Sequence, residues 1–536
     1  MSDVSTQVDS PAGAAPRLPW HVGALIGIVG VGSAVASGQL VAGFVGTQAS
    51  PYLAVGDAVV NMTPAWLKNF AVSNFGTNDK LVLLSTMGVV LLLLGALAGV
   101  LSRRSPLPGT LFAVVLGVAA TAAVLGRSDL GQLGVLAPVV SLVAGALVFR
   151  LLHRLAGEWI AMRDFAAKEH SGNRHPVYGD PAGETRRKFL ISTMGVAVGA
   201  GAAGLFGEVL TSDHDVEGSR EAIGRLVPVR PTTVPPGADF ARNGTPSFIT
   251  DAADFYRVDT ALTVPQLRAE DWSLRIHGMV DRELTLHYDD IRRHNLTEQI
   301  ITLCCVSNPV GGPYISTARF EGVLLRDLLA RVGVHPDADQ LLSTSVDGYT
   351  AGTPVDTLMD DRGAMLATGM NGQPLPVEHG FPARMVVPGL YGYVSATKWV
   401  VDMELTTFGA AQGYWVPRGY SQQAPVKTES RIDVPGSFAT VKAGSVVIAG
   451  IAWAQTKGID KVEVRVDDGP WVPAQLSAEV TKNAWRMWRV FVNLRPGSHT
   501  VQSRATDDTG FTQTAQVADP VPNGASGYPS VSFNVK

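Results

Sequence analysis

Up to about residue 210 the sequence is a series of apolar blocks, each long enough to cross a bilayer, and beyond that point it contains none. This constrains the fold more than any other feature. Backbone inside lipid must satisfy its own hydrogen bonds, so these blocks can only be helices, and each needs about 20 mostly apolar residues. Candidate spans cover residues 22–45, 81–101, 107–125, 133–152 and 189–210, the last being Gly/Ala-rich and the least hydrophobic. Residues 54–72 carry Asp57, Asn61 and Lys68 and read as an interfacial helix or loop. The mean hydropathy of +0.16 comes from this first part. The net charge of -4 is mild and gives no reason to expect a nucleic-acid surface.

Basic residues predict the orientation. Arg103 and Arg104 follow the second span. Arg150, Arg154, Arg163, Lys168, Arg174, Arg186, Arg187 and Lys188 lie between the fourth and fifth. The opposite loops hold only Lys68, Lys80 and Arg127. With the N-terminus inside, the chain beyond the fifth span lies on the extracytoplasmic face of the cell membrane. Thr185-Arg186-Arg187-Lys188-Phe189-Leu190 resembles a twin-arginine export signal, which moves folded proteins and so implies a cofactor loaded in the cytoplasm. The bland reading of the same residues is ordinary positive-inside charge.

His21 and His153 are the histidines near the spans, both at cytoplasmic ends, and there is no Cys-x-x-Cys-His attachment site. The charge-poor spans read as an anchor and docking surface rather than an ion path. No haem or iron–sulfur motif is evident in the chain.

The remainder divides into a linker at 211–250, a mixed α/β domain at 251–425 and short alternating strands at 426–536, after the anchor at 1–210. Trp272-Ser273-Leu274-Arg275-Ile276-His277-Gly278 alternates as a strand, and Leu324-Leu325-Arg326-Asp327-Leu328-Leu329 reads as one helix. Ser445–Gly450, Val462–Val466 and Trp488–Val492, with turns at Asp467-Asp468-Gly469 and Pro496-Gly497, pattern as an immunoglobulin-like β-sandwich.

The two cysteines in the chain, Cys304 and Cys305, are neighbours. Their Cα atoms sit about 3.8 Å apart, too close for an unstrained bridge. Spacing alone leaves two readings open, a pair of inert buried cysteines or a thiolate for a soft metal. Thr302-Leu303-Cys304-Cys305-Val306-Ser307-Asn308 is similar to the cysteine-ligand loop of the sulfite oxidase family of molybdopterin enzymes. The resemblance continues through Ile315-Ser316-Thr317-Ala318-Arg319-Phe320, Asn371-Gly372-Gln373-Pro374-Leu375-Pro376, His379-Gly380-Phe381-Pro382-Ala383-Arg384, Pro388-Gly389 and Lys398-Trp399, and covers about residues 250–536.

It implies an α+β domain holding molybdenum on one pyranopterin (molybdopterin), with Cys305 as the metal thiolate, and a C-terminal sandwich of the homodimerising type. By the same register Tyr256, Arg257, Val258, Asp259 and Thr260 line the pterin and Asp347 contacts it. His379, Arg384, Ala396, Thr397 and Lys398 hold the pterin and its phosphate. Arg and Lys suit a phosphate, and imidazole and carboxylate suit fused polar rings. Blander roles remain open: a salt bridge for Arg384, a satisfied loop histidine for His379, a turn-former for Asp347.

The sequence departs from the sulfite-oxidising pattern where that pattern has an arginine pair, placing Pro309 and Val310 after Asn308. Val258 stands where those enzymes carry another arginine, with Arg257 beside it. Tyr414-Trp415-Val416-Pro417-Arg418-Gly419-Tyr420 resembles the segment that sets a tyrosine near the metal, making Tyr420 the candidate oxo or substrate partner and Arg418 a remaining cation. The alternative for Tyr420 is interdomain packing. The expectation is a membrane-anchored oxidoreductase performing two-electron oxygen-atom transfer on a small substrate other than sulfite, with a haem-protein or quinone-linked electron partner. A sulfite dehydrogenase and a non-catalytic membrane scaffold are the rivals.

Overall fold

The computed structural model describes residues 17–45, 49–64, 67, 79–125, 132–170, 181–212 and 216–536. Lys68, Arg127, Arg174 and residues 65, 66 and 68–72 of the interfacial segment lie outside them. Chain contacts divide the protein into two compact units, Met1–His214 and Asp215–Lys536.

In the first unit, five helices are long and apolar enough to cross a membrane: Trp20–Val45, Lys80–Leu101, Leu107–Leu125, Leu133–Ala167 and Ala182–Phe206. Leu18, Val22 and Ile26 pack with Phe149, Leu152, Ala156, Ile160 and Phe189. Gly23 and Gly27 face Gly95 and Gly99 so closely that a β-carbon at Gly27 or Gly99 would collide with the opposing carbonyl. This is the close backbone approach that small residues four apart permit. The helix Pro51–Met62 follows the first span, with Ser50 at its N-cap. His153 Nε2 donates to the Ser102 carbonyl at 2.7 Å, and His21 packs edge-on against Trp20. Thr185–Leu190 lies within the helix Pro181–Ser212, where Lys188 pairs with Glu184 at 3.0 Å.

The second unit begins with a segment that packs rather than links. Leu226 N donates to Gly372 O, Val229 N to Leu296 O, and Phe240 and Phe248 enter the main core. A mixed sheet and an antiparallel sheet follow. One runs Leu284–His287, Ser273–Gly278, Val400–Thr406, Gln340–Ser345, Thr350–Pro354, with Ser273–Gly278 parallel to Val400–Thr406. The other runs Thr297–Cys304, Ile315–Leu324, Met365–Met370, Gln373–Pro374, with Arg384–Val386 on Met365–Met370. The helix Leu325–Val332 buries Leu325, Leu328, Leu329 and Val332, the 3.6-residue stripe that its sequence carries.

The C-terminal part is β-rich. Glu429–Val434, Gly444–Trp453, Arg486–Leu494 and Gln475–Leu476 form one sheet. Thr440–Val441, Ser530–Val535, Gly497–Asp507, Ile459–Val466 and Val472–Pro473 form another. Ile448 and Trp488 from the first share a core with Val462, Val464, Val501, Ala505 and Phe533 from the second. The arrangement is two sheets packed through their inward-facing residues.

Candidate active site

The strand Thr297–Cys304 ends one residue before Cys305. Because side chains alternate along extended chain, Cys304 and the residue that follows it diverge. Cys304 points into the core at 1% exposure, and Cys305 remains partly open. The loop beyond is pinned at several points. Cys305 N donates to Tyr314 O and Asn308 N to Cys305 O, both at 3.0 Å. The buried Asn308 Oδ1 accepts from Tyr314 N at 2.8 Å. Burial pushes the Cys305 thiol up, while hydrogen bonds from Ser307 and the charge of Lys398 pull it back. Among the described residues no three His, Cys, Asp or Glu side chains converge as a metal cluster. A metal on Cys305 would therefore draw its other ligands from a bound organic group or solvent.

Beside it lies a nest of cations. Asp259 accepts from Arg257 Nε at 3.0 Å and from Lys398 Nζ at 3.1 Å, and Lys398 also donates to Glu378 O at 2.9 Å. Burial drives Lys398 down to about 8, against the pull of Asp259. Arg384 is 4% exposed and reaches only carbonyl oxygens: His379 at 3.2 Å, Ala396 at 3.3 Å and Met385 at 3.4 Å. Burial lowers it to about 10, and among the described residues no carboxylate pairs with it. Gly380 makes this convergence achievable. Its φ is +110°, and a β-carbon there would press on Arg384 Cβ and Lys398 Cα at 3.1 Å.

His379 completes the nest. Its Nε2 donates to Ala252 O at 3.1 Å, and its Nδ1 is buried with no partner. Burial, with Lys398 and Arg384 nearby, lowers it to about 3, so the ring is neutral at pH 7 and Nδ1 offers a lone pair. Three cations against one carboxylate, plus an orphaned acceptor, make a donor set that fits a phosphorylated group carrying ring N–H donors. The residues present thus fit a molybdopterin.

The other expected residues are placed as follows. Tyr256 stacks on Phe255 at 5.4 Å. Its hydroxyl is held well up by burial and by the Cys305 and Cys304 thiols, with Arg384 opposing, which sets it among those three. Thr397 is fully buried and bonds Ser343 through its hydroxyl at 2.7 Å, and Ala396 supplies a carbonyl to Arg384. Asp347 accepts from Tyr349 N at 3.3 Å in the turn after Gln340–Ser345. Val258 is 43% exposed and Thr260 partly buried on the same segment as Asp259.

Tyr420 is buried, 5.4 Å from the Tyr393 ring and 5.2 Å from Trp415. The Arg418 guanidinium lies 3.7 Å over the Tyr414 ring. Tyr349, not selected from the sequence, feels the charge of the Cys305 thiol. Its hydroxyl donates to Tyr393 O at 2.8 Å and is pushed up by burial, then by Asp347 and Cys305. With Tyr414 at 5.7 Å, Tyr349 joins an aromatic wall ending at Tyr393.

Residues 261–415 match the family described as oxidoreductase molybdopterin binding domain. The chain is 30% identical over 324 residues to "Sulfite oxidase, mitochondrial" of Macaca fascicularis, covering 51% of this chain and 59% of that protein. It therefore spans about three-fifths of the length of that relative. It is 31% identical over 149 residues to "Uncharacterized oxidoreductase YuiH" of Bacillus subtilis (strain 168), covering 28% of this chain and 72% of that protein. The crystal structure of the sulfane dehydrogenase SoxCD from Paracoccus pantotrophus superposes with a TM-score of 0.49 at 23% identity, over 59% of this chain and 91% of that one.

Proposed function

The chain belongs to the sulfite oxidase family of molybdopterin oxidoreductases, and from that premise we propose that it reduces a neutral S-oxide or N-oxide by two-electron oxygen-atom transfer. The family domain implies a molybdenum–pterin cofactor, which when bound supplies the oxygen-atom exchange. The net reaction takes the oxide, two electrons and two protons to the deoxygenated product and water. The electrons come from an external haem-protein or quinone-linked partner.

The observation that carries the reading is a contrast of charge. Cations are concentrated at the phosphate end, in Arg257, Arg384 and Lys398, while the loop beyond Cys305 presents Pro309 and Val310. An anionic substrate wants guanidinium donors beside the thiolate. Cys305 would hold the metal, Arg384 and Lys398 the phosphate, and His379 Nδ1 would accept from the pterin. Tyr349 and Tyr420 would bound the substrate space, and Arg418 would orient the aromatic wall through Tyr414. Asp347, Tyr256, Arg257, Val258, Asp259, Thr260, Ala396 and Thr397 would line the pterin.

Five apolar helices make a membrane anchor the natural reading of the first unit. The arginine-rich segments support an extracytoplasmic catalytic unit exported through Arg186-Arg187, and the C-terminal β-rich part is the candidate homodimer surface. Oxidation of sulfite is the second reading, favoured by the name of the mammalian relative. The purified protein, given a reduced viologen dye and a panel of S-oxides and N-oxides, is expected to turn over at least one of them faster than it oxidises sulfite. Sulfite oxidation with no oxide reduction would reverse the assignment.

A further inference from the structure

The short turn Gly392–Val394 sits against the cysteine strand. A β-carbon at Gly392 would meet the Cys304 carbonyl and the Tyr256 hydroxyl, each at 3.9 Å. Tyr393 is the middle residue of that turn and is buried. Both of its polar ends are engaged. Its carbonyl accepts from the Tyr349 hydroxyl at 2.8 Å, and its own hydroxyl donates to Ser421 O at 2.7 Å. Ser421 follows Tyr420, whose ring lies 5.4 Å from that of Tyr393. Burial, and then Tyr420, push the Tyr393 phenol up, so it stays a hydrogen-bond donor at any ordinary pH.

Tyr420 needs such a hold, because its local backbone does little to fix it. It comes after the short helical turn Val416–Arg418 and Gly419, whose φ is +96°. A β-carbon at Gly419 would meet nothing within 4 Å, so neither restricted dihedrals nor packing there steadies the next residue. The Tyr420 amide bond to Trp415 O is long, at 3.3 Å. Firmer bonds lie at the two ends of the segment. Tyr414 N donates to Thr350 O at 2.9 Å, Ser421 N donates to Pro522 O at 3.0 Å, and Ser421 O takes the Tyr393 hydroxyl.

We propose that Tyr393 is a positioning residue for Tyr420: by gripping Ser421 O and packing beside the Tyr420 ring, it aims Tyr420 at the substrate, and through Tyr349 it locks that aim to the Asp347 turn. This role rests on Tyr420 lying beside the substrate, and is the same whether an oxide is reduced or sulfite is oxidised. A residue that acts only through another contributes nothing once that other is gone, so the two should be strongly non-additive.

The test uses Tyr393→Phe, which keeps the ring and removes one oxygen, beside Tyr420→Phe and the double variant. All are full-length, molybdenum-loaded proteins, assayed with whichever of the oxide panel or sulfite the wild type turns over. Y393F is expected to lower kcat by about tenfold or more with KM little changed. The double variant is expected to match Y420F within about twofold. Amide hydrogen exchange, which needs no turnover, is expected to quicken about tenfold over residues 419–422 in Y393F and to stay unchanged in the strand Thr297–Cys304. Losses that multiply in the double variant, or exchange in Y393F equal to wild type, overturn the positioning role. Full activity in Y420F instead overturns the placing of Tyr420 on which that role rests.

Discussion

A guanidinium at 4% exposure among carbonyl oxygens is costly to bury unless an anion joins it, and Arg384 is such a group. A phosphate would satisfy it, as a ring N–H would satisfy His379 Nδ1. Glu429 is the opposite case. It is also 4% exposed, its Oε1 lacks a partner, and burial raises its carboxyl to about 8 despite Lys427. In the unfolded chain it titrates near the ordinary carboxylate value of about 4.3. Between those values the folded state holds a proton that the unfolded state has lost, so unfolding releases it and stability falls as pH rises. Glu429→Gln is expected to match wild type near pH 4 and to gain stability progressively up to about pH 8, at about 1.4 kcal/mol per pH unit at most. Urea unfolding of both proteins across that range measures it; a constant difference would contradict it. Arg384, His379 and Lys398 were legible in the sequence because they sit in one contiguous block. Tyr349 was not, because its nearness to Cys305 depends on how the hairpin Gln340–Ser345/Thr350–Pro354 is set beside the cysteine strand, which no local pattern records.

At the scale of elements, the cysteine loop depends on Asn308, whose Oδ1 takes the Tyr314 amide while Cys305 N returns to Tyr314 O. Asn308→Ala leaves the part-buried Tyr314 N–H without its acceptor and is expected to cost about 1 kcal/mol. Loosening Cys305 in this way should lower metal retention on dialysis more than it lowers pterin content, since the cation nest is untouched. Equal retention of metal in variant and wild type would count against the loop's role. In the first unit, Gly27→Leu is expected to separate Trp20–Val45 from Lys80–Leu101 and to lower the melting temperature in detergent, whereas substitution at Gly32, which has open space around it, does not. The apolar spans and the alternating strands were readable because their periods are local. The parallel pairing of Ser273–Gly278 with Val400–Thr406 was not, since the partners are far apart in sequence. Nor was the packing of 216–250, read as a linker, whose Phe240 and Phe248 carry no periodic signal.

The whole molecule carries an apolar helical unit and an oxidoreductase unit whose cations are gathered where a phosphorylated cofactor would sit. The membrane-side expectations have their own check. Protease added to spheroplasts is expected to cleave the second unit, and to spare it when Arg186 and Arg187 become Lys; protection of the wild-type unit in intact spheroplasts would reverse the orientation. The central claim is that Cys305 holds a molybdenum whose pterin is gripped separately by the Arg384 nest. The most direct measurement is the molybdenum and pterin content of full-length protein purified from membranes, beside Cys305→Ser and Arg384→Ala. The account predicts about one molybdenum and one pterin per chain in wild type. It further predicts that Cys305→Ser keeps pterin with an altered molybdenum spectrum, and that Arg384→Ala loses both. Folded protein containing neither molybdenum nor pterin, or a Cys305→Ser spectrum identical to wild type, would contradict it.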